Sequence, residues 1–468
     1  MITQTQLAVG SSNDVFKSKS EPRFEQFWIR DLGFSLKVRK LELLSALPAA
    51  ERLLVAILRG DRDMACSSLS SRDHDFGAQL VKLVRANDFA NLVLERIFEL
   101  DLTQELSPLQ DELRQPLLPH LTQMASLEVA LSSSRERQFA NILDILEQHS
   151  SDLLWVKGVH LSRTVYSKKQ FRNHGDFDVI VRHKSIEAVL KTLQRAGFHC
   201  LPGSAYTNQL GAGPTDDHLD KFLVPSPDWI PVSALTMKNG LRPAPLDIKV
   251  GALDRGIQCR EIDRIFDQAM EGICLGRKYF APSLVDHLMI SLRNLERDRF
   301  VGWKTLLDVS LLSASINRSD SWNVFMARCK IEGIQISAWM GLSLVAERLG
   351  TAIPSSVLEA LAPSNSIILK YCVFTANPHF VWNVNSLPML IWNALVSEDR
   401  MRKLSILARS LLPDRVFLSK YYLRGNRLTL MQHITCLMWH WLVLLLPAGI
   451  VRRSFGQILW HQSTDSNN

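Results

Sequence analysis

Two aspartates separated by one residue carry the clearest chemistry in this sequence. Asp176 and Asp178 lie in the run Arg-Asn-His-Gly-Asp-Phe-Asp-Val-Ile-Val, which begins at Arg172. The β-branched residues of 177–181 predict a strand, on which both carboxylates point to the same face with their Cα atoms about 6.6 Å apart. Two carboxylates so placed can hold a pair of divalent cations, which lie about 3.5–4 Å apart in such sites. Asp-x-Asp is also a common pattern, and on an exposed strand both side chains are usually solvated.

A third carboxylate and two cationic side chains accompany this pair. Asp247 lies in a second apolar strand pattern and can join the first two if that strand pairs beside theirs. Such oxygen ligands suit Mg²⁺, which keeps waters and phosphate oxygens in its shell. Gly158 follows another short apolar run and lets the backbone approach a phosphate, for which Lys157 and Arg172 offer positive charge. Taken singly, each of these last three residues also fits an ordinary strand-end turn with solvated cations.

The composition is that of an ordinary folded protein. The chain has 468 residues, of which 46% are hydrophobic and 22% charged, and this excludes a disordered, collagen-like or disulfide-stapled class. Its formal charge of +7 is compatible with phosphate-bearing partners but does not demand them. The seven cysteines are widely spaced, without a C-x-x-C pair, and no secretory signal pattern is present. We therefore expect a reduced, cytoplasmic location.

The hydrophobic periodicity changes twice along the chain. Helical spacing of apolar residues gives way to short strand patterns at Asp152 and returns after Gly251, where a Ser283–Asp286 capping box opens a helix. Between them, Ser185 is expected to cap a helix that ends at Gly197, and the loop-rich stretch 202–245 holds one good strand pattern, Phe222–Val224. The expected divisions are a disordered tail at 1–23, a helical N-terminal domain at 24–125, an α/β core at 126–278 and a helical C-terminal domain at 279–468.

These motifs resemble the bacterial nucleotidyltransferase-like proteins of the DNA polymerase beta superfamily. The shared pattern is Lys157-Gly158, then Tyr166, then Arg172-x-x-x-Asp-x-Asp. The resemblance extends to Leu246-Asp-Ile and to the segments that begin at Ala281 and Gly302. It covers roughly residues 41–427 and implies an α+β fold, in which helical domains flank a nucleotidyltransferase-like mixed-sheet core.

The resemblance also implies a reaction and a set of site residues. Asp176, Asp178 and Asp247 would hold two Mg²⁺ ions, and Asp247 would activate the attacking group. Lys157, Gly158 and Arg172 would contact an NTP, whose nucleoside monophosphate passes to an unknown acceptor, either a small molecule, a peptide or a protein.

Two residues depart from the family pattern. Val159 stands where the wider superfamily has glycine or serine, and Lys249 where the narrower family commonly has histidine. The altered turn at Val159 favours an alternative, a catalytically inactive nucleotide-binding or scaffold protein in a biosynthetic pathway for an exopolysaccharide or a peptide natural product.

Residues 428–451 carry no charged side chain and are long enough for a membrane span. Gln432, His433, Thr435, His440 and Pro447 lower the hydropathy of this segment, so a buried or interfacial helix is the preferred interpretation. The basic stretch that precedes it is of a kind that usually forms a solvated helix face. Contact with anionic lipid or with nucleic acid is also conceivable, although nothing in the sequence supports nucleic acid. The basic residues are Arg400, Arg402, Lys403, Arg409, Arg415, Lys420, Arg424 and Arg427.

Overall fold

A computed structural model describes most of the chain. The described residues are 47–70, 75–109, 116–200, 229–234, 244–250, 252–254, 257–258, 261–297, 300, 302–316, 319–363 and 430–445. The chain divides into two compact units at Leu47, and all elements named below belong to the second unit, Pro48–Asn468. The predicted tail 1–23, the strand pattern Phe222–Val224 and the basic stretch that starts at Arg400 lie outside the described residues.

Helices precede the sheet, as the apolar periodicity predicts. In the first of them, Leu53, Leu54 and Ile57 are fully buried, and the helix ends at Gly60, whose positive φ of 75° suits glycine. These helices are α1 (Ala49–Arg59), α2 (Arg62–Ser70), α3 (Phe76–Asn87), α4 (Ala90–Glu99), α5 (Thr103–Leu106) and α6 (Leu117–Ile145).

A five-stranded mixed sheet forms the centre of the fold, with strand order β1-β2-β5-β4-β3. β1 pairs antiparallel with β2, β2 parallel with β5, and β4 antiparallel with both β5 and β3. This confirms the predicted α+β class. The strands are β1 (Leu153–Val156), β2 (Phe177–Val181), β3 (Phe198–Cys200), β4 (Trp229–Ala234) and β5 (Leu246–Val250).

Short helices connect these strands. They are α7 (Gly158–Thr164) and α8 (Ile186–Arg195), with 3-10 turns at Glu147–Asp152, Lys169–Phe171 and His183–Ser185. α8 begins after Ser185, as expected, but the Ser185 hydroxyl donates to Asp152 Oδ2 at 2.7 Å and does not cap the helix. Gly197 follows the helix with a positive φ of 87°.

The two faces of β2 and β5 differ in character. Phe177 and Val179 on β2, and Ile248 on β5, pack in one large apolar cluster that also contains Phe139 of α6. Because side chains alternate along a strand, the intervening residues lie on the opposite face. That face carries the aspartates of the site.

One strand was missed because it contains a proline. β4 lies within the stretch 202–245, where the sequence predicts only the Phe222–Val224 strand. Within the described residues, β4 pairs with β3 as far as Val232, and the described pairing of Pro231 is with Asp247 of β5. A proline, which lacks an N–H group, is tolerated at such a position.

The segment between Gly251 and the capping box contains short strands that the sequence does not predict. Short strands β6 (Ala252–Asp254) and β7 (Ile257–Gln258) pair there, and helix α9 (Ile262–Asp267) leads into a hairpin of β8 (Met270–Cys274) and β9 (Arg277–Ala281). The hairpin turn has positive φ at both central residues, Leu275 (49°) and Gly276 (80°). This two-residue turn usually carries Asn-Gly or Asp-Gly, so the leucine conceals it in the sequence.

The helical pattern returns with α10, and the capping box is confirmed. The Asp286 N–H donates to Ser283 Oγ at 3.3 Å, and the Ser283 hydroxyl donates to Asp286 Oδ2 at 2.6 Å. The helices of this region are α10 (Leu284–Arg297), α11 (Trp303–Ser315), α12 (Ser319–Glu332), α13 (Gln335–Leu349), α14 (Ser355–Leu361) and α15 (Leu430–Leu445).

α15 falls within the uncharged segment 428–451. Among the side chains described in this helix, the exposed apolar ones are Met431, Ile434, Met438 and Trp441. Within the described residues, no helix combines the length and hydropathy that a membrane crossing requires. Contact with a membrane surface stays a prediction.

Candidate metal centre

Three aspartates meet on one face of the sheet. β2 and β5 run parallel with Asp178 directly opposite Asp247, and Asp176 lies two residues before Asp178 on the same side. The three carboxylates offer ligand atoms that all lie within 4.8 Å of one another. Asp178 and Asp247 are 4% and 5% exposed, and Asp176 is half-buried. Three clustered carboxylate oxygens are the donors that a hard divalent cation such as Mg²⁺ prefers, so the residues fit the predicted ion.

Two lysines converge on the central aspartate of this cluster. Asp178 Oδ1 accepts a hydrogen bond from Lys157 Nζ at 3.0 Å and another from Lys249 Nζ. Lys157 follows β1, whose last residue, Val156, pairs with Asp178. Lys249 lies two residues after Asp247 on β5, so both point to the aspartate face. The Lys249 departure from the family pattern thus places an ammonium group inside the carboxylate cluster.

Burial and the neighbouring charges shift the pKa values of Asp176 and Asp178 in opposite directions. Burial, followed by the Asp178 carboxylate, raises the pKa of Asp176. Burial would also raise the pKa of Asp178, but the ammonium groups of Lys157 and Lys249 outweigh it and hold that pKa well below its usual value. Asp178 therefore stays ionised, whereas Asp176 is harder to ionise, and a bound cation would further stabilise its negative charge.

The Lys157-Gly158 turn is tightly packed against its neighbours. Lys157 adopts φ 59° and ψ −130°, a conformation that side-chain-bearing residues rarely take. Its N–H donates to Nε2 of the buried His287 on α10 at 3.1 Å. A Cβ atom on Gly158 would lie 2.6 Å from the Cβ atom of His174, which is closer than two such atoms approach. The packing of the turn therefore requires glycine at this position, independently of any phosphate.

Tautomer and charge of His287 follow from its surroundings. Its Nδ1 lies 3.3 Å from the Pro282 carbonyl oxygen, so Nδ1 carries the proton and Nε2 accepts from Lys157. Burial, and then the neighbouring His160 ring, hold the pKa of His287 well below its usual value. His287 is thus a neutral acceptor that fixes the backbone of the turn.

Arg172 is buried in an ion pair that the sequence did not reveal. Its Nε and Nη2 atoms donate to Oδ1 and Oδ2 of Asp308 on α11, each at 2.8 Å. The Tyr166 hydroxyl donates to the same Oδ1 at 2.7 Å. Burial alone would lower the pKa of Arg172, but the Asp308 carboxylate raises it above its usual value. Arg172 ties helix α11 to the loop before Asp176, and its contact with a nucleotide stays a prediction.

The sequence contained one signal for His287 and Asp308. Both lie in segments after the core, at Ala281 and Gly302, to which the family resemblance extends. Their positions in the sequence give no indication of these contacts, because His287 lies 130 residues after Lys157 and Asp308 lies 136 residues after Arg172. Only the packing of α10 and α11 on the core brings them together.

Comparison with known proteins identifies one family for this chain. No curated protein and no solved structure matches the chain. The family described as uncharacterised nucleotidyltransferase matches residues 77–350, which is more than half of the chain and includes all three aspartates, both lysines, His287 and Asp308. The chain therefore belongs to this nucleotidyltransferase family.

Proposed function

We propose that this chain transfers a nucleoside monophosphate from an NTP to an acceptor at the Asp176, Asp178 and Asp247 cluster. The observation that carries the proposal is the register of β2 and β5, which sets Asp178 opposite Asp247 with Asp176 beside them. Family membership supports the transferase class. The acceptor oxygen would form a bond to the α-phosphorus, the α–β phosphate bond would break, and pyrophosphate would leave.

The three aspartates, Lys157 and Gly158 each have a part in this proposal. The three aspartates hold Mg²⁺, which when bound supplies neutralising charge to the phosphate oxygens. Asp247 accepts the proton of the attacking hydroxyl. Lys157, whose side chain is 13% exposed at the end of β1, turns its ammonium group to the nucleotide phosphates. Gly158 keeps the turn free of a side chain there.

The number of ions depends on Asp178. The sequence predicts two Mg²⁺ ions, but Asp178 Oδ1 already accepts from two ammonium groups.

Calorimetry followed by a product assay tests the proposal. The full chain is titrated with ATP, GTP, CTP and UTP in the presence of Mg²⁺, and pyrophosphate release is then measured with a metabolite extract as the source of acceptors. We expect Mg²⁺-dependent binding of at least one nucleotide and release of pyrophosphate. Full transfer by the Asp178→Asn protein, or the absence of both binding and release, contradicts the proposal.

The second candidate is the inactive nucleotide-binding or scaffold protein in a biosynthetic pathway. The side chain of Val159 favours it, because this residue is 1% exposed and packs in the apolar cluster instead of facing the site. The turn therefore lacks the small or hydroxyl-bearing residue that the wider superfamily has there. Nucleotide binding without pyrophosphate release, in the same experiment, supports this candidate.

A further inference from the structure

Lys249 is a buried cation inside the carboxylate cluster. Its side chain is 1% exposed, and its Nζ atom contacts Asp178 Oδ1. It shares a strand face with Asp247, two residues away. The chain has thus built a positive charge among the side chains that are expected to hold metal.

The two lysines at Asp178 are not equivalent. The side chain of Lys157 is 13% exposed, whereas that of Lys249 is 1% exposed and lies in the middle of the sheet. Lys157 can leave Asp178 for a nucleotide phosphate, since it sits at the strand end. Lys249 cannot, because drawing its ammonium group away from Asp178 would break an ion pair whose side chains are only 1% and 4% exposed. Lys249 is therefore the permanent cation of the cluster.

The charge balance then favours one ion. Once Lys157 has turned to the nucleotide phosphates, the three ionised carboxylates and the Lys249 ammonium leave a charge of −2 on the cluster, which one divalent cation neutralises. A second divalent ion would lie about 3.5–4 Å from the first and share a carboxylate with it. Asp178 is the central carboxylate, and its Oδ1 is already engaged by Lys249.

We propose that the Lys249 ammonium group takes the place of one of the two cations of a two-metal site, so that the chain holds a single divalent ion together with its nucleotide. This inference rests on the proposed nucleotidyl transfer. It assigns to Lys249 a role that the family pattern, with histidine at this position, does not contain.

Electron paramagnetic resonance of Mn²⁺ tests the inference without relying on turnover. The full chain is saturated with the α,β-methylene analogue of the nucleotide that calorimetry identifies, and Mn²⁺ is then titrated in. We expect the wild-type chain to bind one Mn²⁺ with the spectrum of an isolated ion. Lys249→Met keeps the aliphatic stem without the charge, and it should bind two Mn²⁺ ions with the spectrum of a coupled pair.

Lys157→Met is the matched control. It removes the other ammonium group from Asp178, and we expect it to keep one Mn²⁺ while the affinity for the nucleotide falls about tenfold. Circular dichroism checks that both variants fold. The number of Mn²⁺ ions bound by the wild-type chain tests the inference even if a variant does not fold. Two coupled Mn²⁺ ions in the wild-type chain would overturn the inference, and so would a single Mn²⁺ ion in folded Lys249→Met. If the wild-type chain still releases pyrophosphate, the proposed nucleotidyl transfer is unaffected by either result. A wild-type chain that binds neither Mn²⁺ nor nucleotide overturns both.

Discussion

At the scale of single residues, the aspartate cluster is a set of charges that the sheet register brings together. Alternation along one strand pattern is enough to predict that Asp176 and Asp178 share a face. Asp178 lies opposite Asp247 because β2 and β5 pair in parallel. The sequence alone does not establish that these two strands are neighbours. Lys249 shows the limit of the pattern, since a lysine in an apolar strand gives no sign of which carboxylate it meets.

The buried ion pair between Arg172 and Asp308 leads to a stability prediction. Asp308→Asn removes the charge that balances a guanidinium 8% exposed, so we expect the free energy of unfolding to fall by about 3–5 kcal/mol. Urea denaturation measures this. The control is Asp263→Asn, whose carboxylate is 83% exposed beside Arg182 and should contribute less than about 1 kcal/mol. Equal losses in the two variants would show that Asp308 does not hold Arg172.

At the scale of elements, the sequence predicted the strands that carry apolar, β-branched runs and the helices that carry regular periodicity. It missed β4, because Pro231 interrupts the strand, and the β8–β9 hairpin, because Leu275 occupies a turn position that usually carries Asn or Asp. Those misses leave the three aspartates unaffected, since Asp178 and Asp247 lie on β2 and β5. The contacts that His287 of α10 and Asp308 of α11 make with the core could not be predicted, because they depend on tertiary packing.

Two glycines near the site differ in the space that a side chain would find there, so alanine substitutions at Gly158 and Gly175 test the packing of the turn. Gly158→Ala would place a methyl group 2.6 Å from the His174 Cβ atom, and we expect a loss of about 1–3 kcal/mol in the free energy of unfolding. A Cβ atom at Gly175 meets nothing within 4 Å, so Gly175→Ala should change stability by less than about 1 kcal/mol. Urea denaturation of both variants checks this, and a Gly158→Ala protein as stable as Gly175→Ala would contradict the packing.

At the scale of the whole molecule, a stacked histidine pair links the core to the helices that follow it. The rings of His160 on α7 and His287 on α10 lie 4.9 Å apart and are nearly parallel. Burial, and then the Arg163 guanidinium, lower the pKa of His160 from 6.5 to about 4. Both rings are therefore neutral in the folded chain near neutral pH.

This pair predicts a dependence of stability on pH. The folded-state pKa of His160 is below its unfolded value. The contribution of neutral His160 to the free energy of unfolding is therefore complete above pH 6.5 and is lost as the pH falls from 6.5 to about 4. In this range the free energy of unfolding falls by up to about 1.4 kcal/mol per pH unit. We expect His160→Phe, which keeps the aromatic stack, to lose less stability than the wild-type chain between pH 7 and pH 5 in urea denaturation. Identical pH profiles would contradict this account.

The central claim is that the aspartate cluster performs nucleotidyl transfer, and pyrophosphate release by matched aspartate variants tests it most directly. The wild-type chain, Asp247→Asn and the control Asp263→Asn are assayed with the same NTP, Mg²⁺ and metabolite extract, after circular dichroism has shown equal folding. We predict that Asp263→Asn matches the wild-type rate, because its side chain is exposed and paired with Arg182. We predict that Asp247→Asn is slower by about 100-fold or more. An Asp247→Asn protein that releases pyrophosphate at the wild-type rate would contradict the account.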